Sequence, residues 1–223
     1  IFSEMFLTGY QAQDLVTKEA FLDDVSKTLS SVAASISGGP PLVVGAPSKE
    51  GDLIYNAYFL LFNGCATVVS RKHHLPNDDI FDEKRVFASG PISGPYSIGA
   101  HRIGSPICED FWYEDVAETL VETGADLLLA PNGSPYARDK MSVRMNVMVK
   151  RSLETKIPLI YLNMVGGQDD QIFDGGSFVL NPGGKLAIKL PQFEEVLQRV
   201  DFEQTNSGLE AKVDLRVAEG EQL

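Results

Sequence analysis

The sequence predicts a mixed α/β or α+β sandwich, on three observations. Short hairpins and strand–helix–strand units occur in one chain of 223 residues, the pattern of sheets with helices packed on their faces. An apolar fraction of 43% is enough to build a sizeable core without metal or disulfide support. No internal repeat or low-complexity linker divides the chain, and at about 150 residues per domain the length suits one domain or two small ones.

The segment from Ile1 to Phe6 is apolar enough to read as the end of a strand. From Asp14 to Ser35, the residues Leu15, Phe21, Leu22, Val25, Leu29 and Val32 approximate a 3.6-residue stripe, which predicts a helix. Gly38-Gly39-Pro40-Pro41 stops it. Pro41 to Ala46 and Tyr55 to Phe62 read as strands, and Asn63-Gly64 is a hairpin turn into Ala66 to Ser70. Residues 71–95 are loop-rich. Tyr96 to Ile98 and His101 to Ile107 form a further hairpin by pattern. Glu114 to Thr123 predicts a helix ended by Gly124 and followed by a buried strand from Asp126 to Ala130. Asp139 to Thr155 predicts another helix, leading into a strand from Leu159 to Met164. Gly175 to Asn181 and Lys185 to Leu190 flank the turn Pro182-Gly183-Gly184. Residues 201–223, with six acids and two bases, read as a last strand and a solvated tail.

Charge excludes several function classes. With 31 acids against 19 Lys and Arg, the net charge is −12, which argues against nucleic-acid partners and polybasic membrane binding. Apolar runs such as Leu127-Leu128-Leu129-Ala130 are far shorter than the roughly 20 residues that span a bilayer. No signal segment is visible at the start, so the expectation is a cytoplasmic protein. Two cysteines, Cys65 and Cys108, and three histidines occur without a CxxC pair or HExxH, so no metal site is expected. Free thiols, one of them reactive, are the reading for the cysteines. No GxGxxG or GxxxxGK[ST] is present, and Ser37-Gly38-Gly39 lacks the Asp-Ser of a pyrophosphate loop. No cofactor is therefore expected within this chain.

Three residues stand out chemically. Cys108 ends a short apolar strand with a helix predicted just beyond, a turn that lifts a side chain from the sheet and points backbone N–H groups toward it. Glu4 interrupts an apolar segment, where an unpartnered carboxylate costs several kcal/mol. Lys72 directly follows the strand ending near Ser70. Each follows or interrupts a strand, so one sheet edge can bring all three together.

Five ordered blocks carry a resemblance. They are Glu4-Met5-Phe6-Leu7-Thr8-Gly9-Tyr10; Lys72-His73-His74-Leu75-Pro76-Asn77 through Glu83-Lys84-Arg85; Pro106-Ile107-Cys108-Glu109-Asp110-Phe111-Trp112; Asn132-Gly133-Ser134-Pro135-Tyr136 with Lys140 and Arg144; and Gly166-Gly167-Gln168 through Phe173-Asp174-Gly175-Gly176-Ser177-Phe178. Together these resemble the nitrilase superfamily of carbon–nitrogen hydrolases, and more narrowly the glutaminase domains of bacterial glutamine-dependent NAD synthetases. One block alone would be weak; five in order are specific.

The resemblance implies an α+β fold, a four-layer α-β-β-α sandwich. It implies a Glu4–Lys72–Cys108 triad supported by Glu83, with Cys108 forming a thioester from glutamine and releasing ammonia. Glu109, Ser134 and Lys140 are assigned by the resemblance to the amino-acid end of glutamine. Where the family often carries Tyr after the Pro-Asn pair, this sequence has Asp78 and Asp79, so an aromatic wall of the pocket is absent or supplied elsewhere. The implied domains are residues 1–200 as the hydrolase and 201–223 as a last strand and acidic tail leading to a synthetase domain in cis, which would use ATP and Mg. A homo-oligomer is implied as well. The fold is expected to lack its first strand–helix unit, with an open edge and marginal stability. A free-standing amidase on another small amide, or an inert scaffold, would share much of the pattern.

Overall fold

A computed structural model describes residues 1–78 and 80–213. Asp79 and the acidic tail from residue 214 onward lie outside the described residues. Helix α1 (Glu19–Ser35) precedes an antiparallel meander of β1 (Leu42–Glu50), β2 (Leu53–Phe62) and β3 (Cys65–Arg71). After a long loop come β4 (Tyr96–Ile98), β5 (His101–Gly104), α2 (Asp115–Glu122), β6 (Leu127–Asn132), α3 (Lys140–Thr155) and β7 (Leu159–Asn163). The hairpin β8 (Val165–Gln168) and β9 (Gln171–Asp174) follows, then β10 (Phe178–Asn181), β11 (Lys185–Lys189), β12 (Phe202–Thr205) and β13 (Gly208–Ala211). Six of these strands form a second sheet in the order β11-β10-β7-β6-β5-β4, with β5, β6 and β7 mutually parallel.

Alternation of side chains builds four layers from these elements. On one outer side, Val25, Leu29 and Ala33 of α1 pack on Val44, Ala46, Ala57, Phe59 and Leu61 of the three-stranded sheet. The opposite face of that sheet presents Val43 and Tyr58, which meet Ile107, Tyr96 and Ile98 from the larger sheet's side. On the other outer side, Val116, Leu120 and Met148 of α2 and α3 cover Leu128, Ala130, Leu159, Tyr161 and Phe178. The run Leu127-Leu128-Leu129-Ala130 is continuously apolar because both faces of β6 are covered. The order helix, sheet, sheet, helix is the α-β-β-α sandwich expected above.

Several elements differ from their sequence reading. Ile1 to Phe6 is not a strand. The N–H groups of Phe2 and Leu7 bond the carbonyls of Val43 and Gly45 at 2.9 and 3.1 Å, and between them the chain turns, with Met5 at φ +49°. The segment is apolar because it arches over β1 rather than pairing with it. Gly45 makes the arch possible, since a β-carbon there would lie 2.3 Å from the Met5 nitrogen and 2.5 Å from the Ser3 carbonyl. The first helix starts at Glu19, preceded by a 3-10 turn over Gln13–Thr17 that buries Val16 and leaves Leu15 exposed. β1 and β2 run on to a tight turn at Gly51-Asp52, longer than their apolar cores suggested. β8 and β9 form a hairpin hidden in sequence by glycines and acids. The last strand is a hairpin, β12–β13, whose Leu209 and Ala211 cover Ile103, Leu127, Val179 and Ile188.

Candidate active site

The first charged centre is assembled from three segments that the sheets bring together. The arch over β1 delivers Glu4, the residue after β3 is Lys72, and a 3-10 turn in the following loop supplies Glu83. All three are buried, with side chains exposed by 0–3%. Lys72 Nζ donates to Glu4 Oε1 at 2.7 Å. It lies 2.9 Å from Glu83 Oε2, a close ion pair whose angle falls short of hydrogen-bond geometry. Burial alone would drive the Lys72 ammonium down, but Glu4 and Glu83 beside it hold it well above the usual lysine range. Burial pushes the Glu83 carboxyl up, with Lys72 pulling against it and the Glu4 charge adding to the rise. Lys72 also sits 5.6 Å from the ring centroid of the buried Tyr10.

Cys108 heads a short 3-10 turn over Cys108–Phe111, where β5 has ended at Gly104 and the chain leaves the sheet. Its φ of +48° is a conformation that non-glycine residues seldom hold. The thiol is 7% exposed and unpaired, whereas Cys65, also free, is exposed on the three-stranded sheet. Burial raises the Cys108 thiol well above its ordinary value, and the negative charge of Glu4 raises it further while Lys72 opposes. The thiol is therefore within electrostatic reach of Glu4, Lys72, Glu83 and Glu109, and it rests protonated at neutral pH.

The three residues assigned to a ligand's amino-acid end have the following surroundings. Glu109 is half-buried next to Cys108; burial raises its carboxyl, Lys72 lowers it, and the Lys140 charge also acts on it. Lys140, at the start of α3, lies 5.3 Å above the ring of Trp112. Trp112 is thus the aromatic side chain next to this pair, while Asp78 is exposed. Ser134 is buried, and its hydroxyl accepts a hydrogen bond from Arg144 Nε at 3.1 Å.

Other residues prove central that had no role assigned in the sequence, and one of them, Asn56, lies outside the ordered blocks. Asn56, a polar residue inside the apolar strand β2, donates its amide to Glu4 Oε1 at 2.8 Å and to Glu83 Oε1 at 3.0 Å. The backbone N–H of Gly133 donates to Glu4 Oε2 at 2.7 Å. A β-carbon at Gly133 would lie 2.8 Å from the Tyr10 ring, so this close approach requires glycine. Asp110 takes three backbone N–H groups, from His73, His74 and Ile107. Arg144 and Asp174 form a second buried ion pair below Ser134. The signal available for Asn56 was a lone amide among Ile54, Tyr55, Ala57 and Tyr58.

Two features lie apart from this centre. His73, His74 and Asp115 bring ligand-type atoms within 4.8 Å of one another. One ring nitrogen of each is engaged by protein: His73 Nδ1 with the Gly90 carbonyl at 2.7 Å, His74 Nε2 with Asp115 at 2.9 Å. A cavity of about 450 Å³ between α2 and α3, lined by Glu118, Glu122, Arg151 and Glu154, contains none of the candidate catalytic residues. No helix among the described residues is long and apolar enough to cross a membrane.

Comparison with known proteins places this geometry. The carbon–nitrogen hydrolase family matches residues 1–207. A glutamine-dependent NAD(+) synthetase of Rhodobacter capsulatus is 52% identical over 200 residues, covering 90% of this chain and 36% of the relative. The chain thus spans little more than a third of that relative's length. The structure of a glutamine-dependent NAD+ synthetase from Acinetobacter baumannii superimposes with a TM-score of 0.88 at 31% identity, covering 98% of this chain and 41% of that one. An amidase variant from Nesterenkonia sp. AN1, at 25% identity and TM-score 0.71 over 85% of this chain and 72% of its own, shows covalent addition of the acetamide moiety of fluoroacetamide at its active-site cysteine. With sequence and layer order in agreement over nearly its whole length, this chain belongs to the carbon–nitrogen hydrolase family.

Proposed function

We propose that this chain is a glutamine amidohydrolase module in which Cys108 is the nucleophile, Glu4 the proton carrier and Lys72 the electrostatic stabiliser. The observation that carries the reading is the buried Glu4–Lys72 pair within electrostatic reach of a protonated thiol held at positive φ. Because burial keeps the thiol protonated, attack must be concerted with transfer of the Sγ proton to Glu4. The Sγ–carbon bond forms at the glutamine side-chain amide, and its oxygen takes up negative charge. Lys72 Nζ and the backbone N–H of Glu109, which follows the nucleophile, stabilise that charge, a contribution worth about 3 kcal/mol per donor in a dry site. Glu4 then returns the proton to the leaving nitrogen, the carbon–nitrogen bond breaks, and ammonia departs from a Cys108 thioester. Water, deprotonated by Glu4, attacks the thioester; the thiolate leaves, is reprotonated, and glutamate is released.

Glu83 keeps Lys72 in place through their 2.9 Å contact. Glu109 and Lys140 would clamp the α-ammonium and α-carboxylate, with Trp112 as the apolar wall. Ser134 takes part through Arg144 and through the neighbouring Gly133 amide that holds Glu4. The names and lengths of the relatives support a second part to the reading. A synthetase domain in the same polypeptide would use this ammonia, with ATP and Mg, to amidate deamido-NAD. A cytoplasmic homo-oligomer belongs to the same proposal and is tested by fractionation and sedimentation.

The deciding experiment incubates the full-length protein with glutamine and measures glutamate and ammonia. Release by the parent and its loss in Cys108→Ala supports the reading; retained release in that variant refutes the nucleophile. Turnover of simple aliphatic amides without glutamine turnover would replace it with a free-standing amidase.

A further inference from the structure

We infer that Asp110 is a positioning residue for this reaction, its carboxylate holding the backbone that presents Lys72 and the backbone that presents Cys108 in fixed register. The inference rests on the amidohydrolase reading for its kinetic consequence, though not for its geometry. Asp110 is 1% exposed and follows the nucleophile by two positions. Its Oδ1 accepts the N–H groups of His73 at 3.0 Å and His74 at 2.7 Å, the two residues after Lys72. Its Oδ2 accepts the N–H of Ile107 at 2.9 Å, the residue before Cys108. One side chain thus ties together two segments far apart in sequence, each adjacent to a reacting group. The positive φ of Cys108 persists only where its surroundings hold it, and the Ile107 bond is part of that hold.

The arrangement calls for a carboxylate and not merely for a polar side chain. N–H donors point at both oxygens. An amide at this position has a single acceptor oxygen, so in either orientation its NH2 would face a donor. Lys72, His73 and His74 are the groups of the facing loop that act on Asp110; Cys108 and Glu109 precede it on its own turn, and Asp115 at the start of α2 binds His74. Burial pushes the Asp110 carboxyl up to about 6, against the pull of the His74 and Ile107 N–H groups and of Lys72. Protonation below that pH converts one oxygen to a hydroxyl and releases an N–H group. Activity supported by this tie is present above about pH 6 and is lost as pH falls through it.

The test compares Asp110→Asn with the parent full-length protein in two assays. Alkylation of Cys108 by iodoacetamide reads the thiol's alignment with its base without assuming a substrate. Glutamine turnover across pH 5–9 reads the consequence. The expected result is labelling slowed about tenfold and kcat lowered on the order of 10²-fold with KM within about twofold. The acid limb near pH 6 is expected to be absent from the variant's kcat profile. In the unaltered protein, the amides facing the oxygen that takes the proton, Ile107 at Oδ2 or His73 and His74 at Oδ1, should lose hydrogen-exchange protection between pH 7 and 5, while those of β6 keep it; this measurement stands even if the variant does not fold. Wild-type rates of labelling and turnover in Asp110→Asn, or protection retained at pH 5 by all three amides, would overturn the inference. Slowed labelling in a protein whose parent never hydrolyses glutamine would leave the positioning role intact and remove the glutaminase reading.

Discussion

Lys72 and Arg144 are both buried cations paired with carboxylates, and they are built to opposite rules. Arg144 meets Asp174 one to one, with NH1 bonding both carboxylate oxygens at 2.8 and 2.9 Å. Its remaining donors go to the Ser134 hydroxyl and to the carbonyls of Ser134 and Pro135. Charge is balanced and the guanidinium's five donors are used. Lys72 instead stands between two acids, Glu4 and Glu83, so a single buried cation serves two carboxyl groups. Burial has raised Glu83, and it has raised the thiol of Cys108 nearby. A saturated pair fixes a loop; an unbalanced one keeps a proton in play, and these two sit on opposite sides of Gly133-Ser134.

The largest expected effect separates the two most sharply. Lys72→Met should lower kcat for glutamine by about 10³-fold or more, because the cation proposed to meet developing oxyanion charge is gone. Steady-state kinetics on the folded variant checks it; a loss under tenfold would place Lys72 with Arg144 as a scaffold residue. Arg144→Met should reverse the pattern. Stranding Asp174 in the interior should cost about 3–5 kcal/mol of stability, read as a lower denaturant midpoint, while kcat per folded molecule changes less than about tenfold. Asn56→Ala should fall between them. Losing the amide shared by Glu4 and Glu83 should destabilise by about 1–3 kcal/mol and lower kcat about tenfold, and an effect confined to stability would move Asn56 to the scaffold side.

Two milder changes sharpen the picture. Lys140→Ala should raise KM for glutamine about tenfold with kcat nearly unchanged, the mark of an interaction made equally in ground and transition states. Alkylation of Cys108 by iodoacetamide should keep accelerating as pH rises beyond 9 without a plateau, since its thiol is held above its ordinary value. A plateau below pH 8 would show instead a thiolate stabilised by Lys72.

The sandwich and the charged residues of the centre were largely legible in the sequence, and the reasons differ by residue. Glu4 could be found because a carboxylate inside Ile1 to Leu7 demands a partner. Cys108 could be found because the sequence reads as a strand up to Ile107, although β5 ends earlier, at Gly104, and Lys72 and Glu83 because they occur in an ordered block. The conformation that places Glu4 was not legible. Its apolar neighbours suit a strand, and only the space left open by Gly45 in β1 shows that the chain arches across rather than pairs. Asn56 was hidden by its surroundings, since an isolated amide in an apolar strand has meaning only once the groups it faces are known. Ser134 was assigned to the ligand by the resemblance, and the Arg144 bond to its hydroxyl could not be read from the sequence. The β8–β9 hairpin escaped because Gly166-Gly167 and Asp169-Asp170 hide the alternation that marks a strand.

The amide of Gly133 sets the address of the travelling proton. Among the described residues, Glu4 Oε1 receives Lys72 and Asn56, while Oε2 receives Gly133 alone. A carboxylate oxygen accommodates about two donors, so the protein's own donors occupy Oε1 more fully than Oε2. In the mechanism proposed above, Oε2 would receive the Cys108 proton, and later the proton of the attacking water. A single oxygen would then serve both halves of the cycle, alternating between thiol and solvent like a turnstile that admits one passenger at a time.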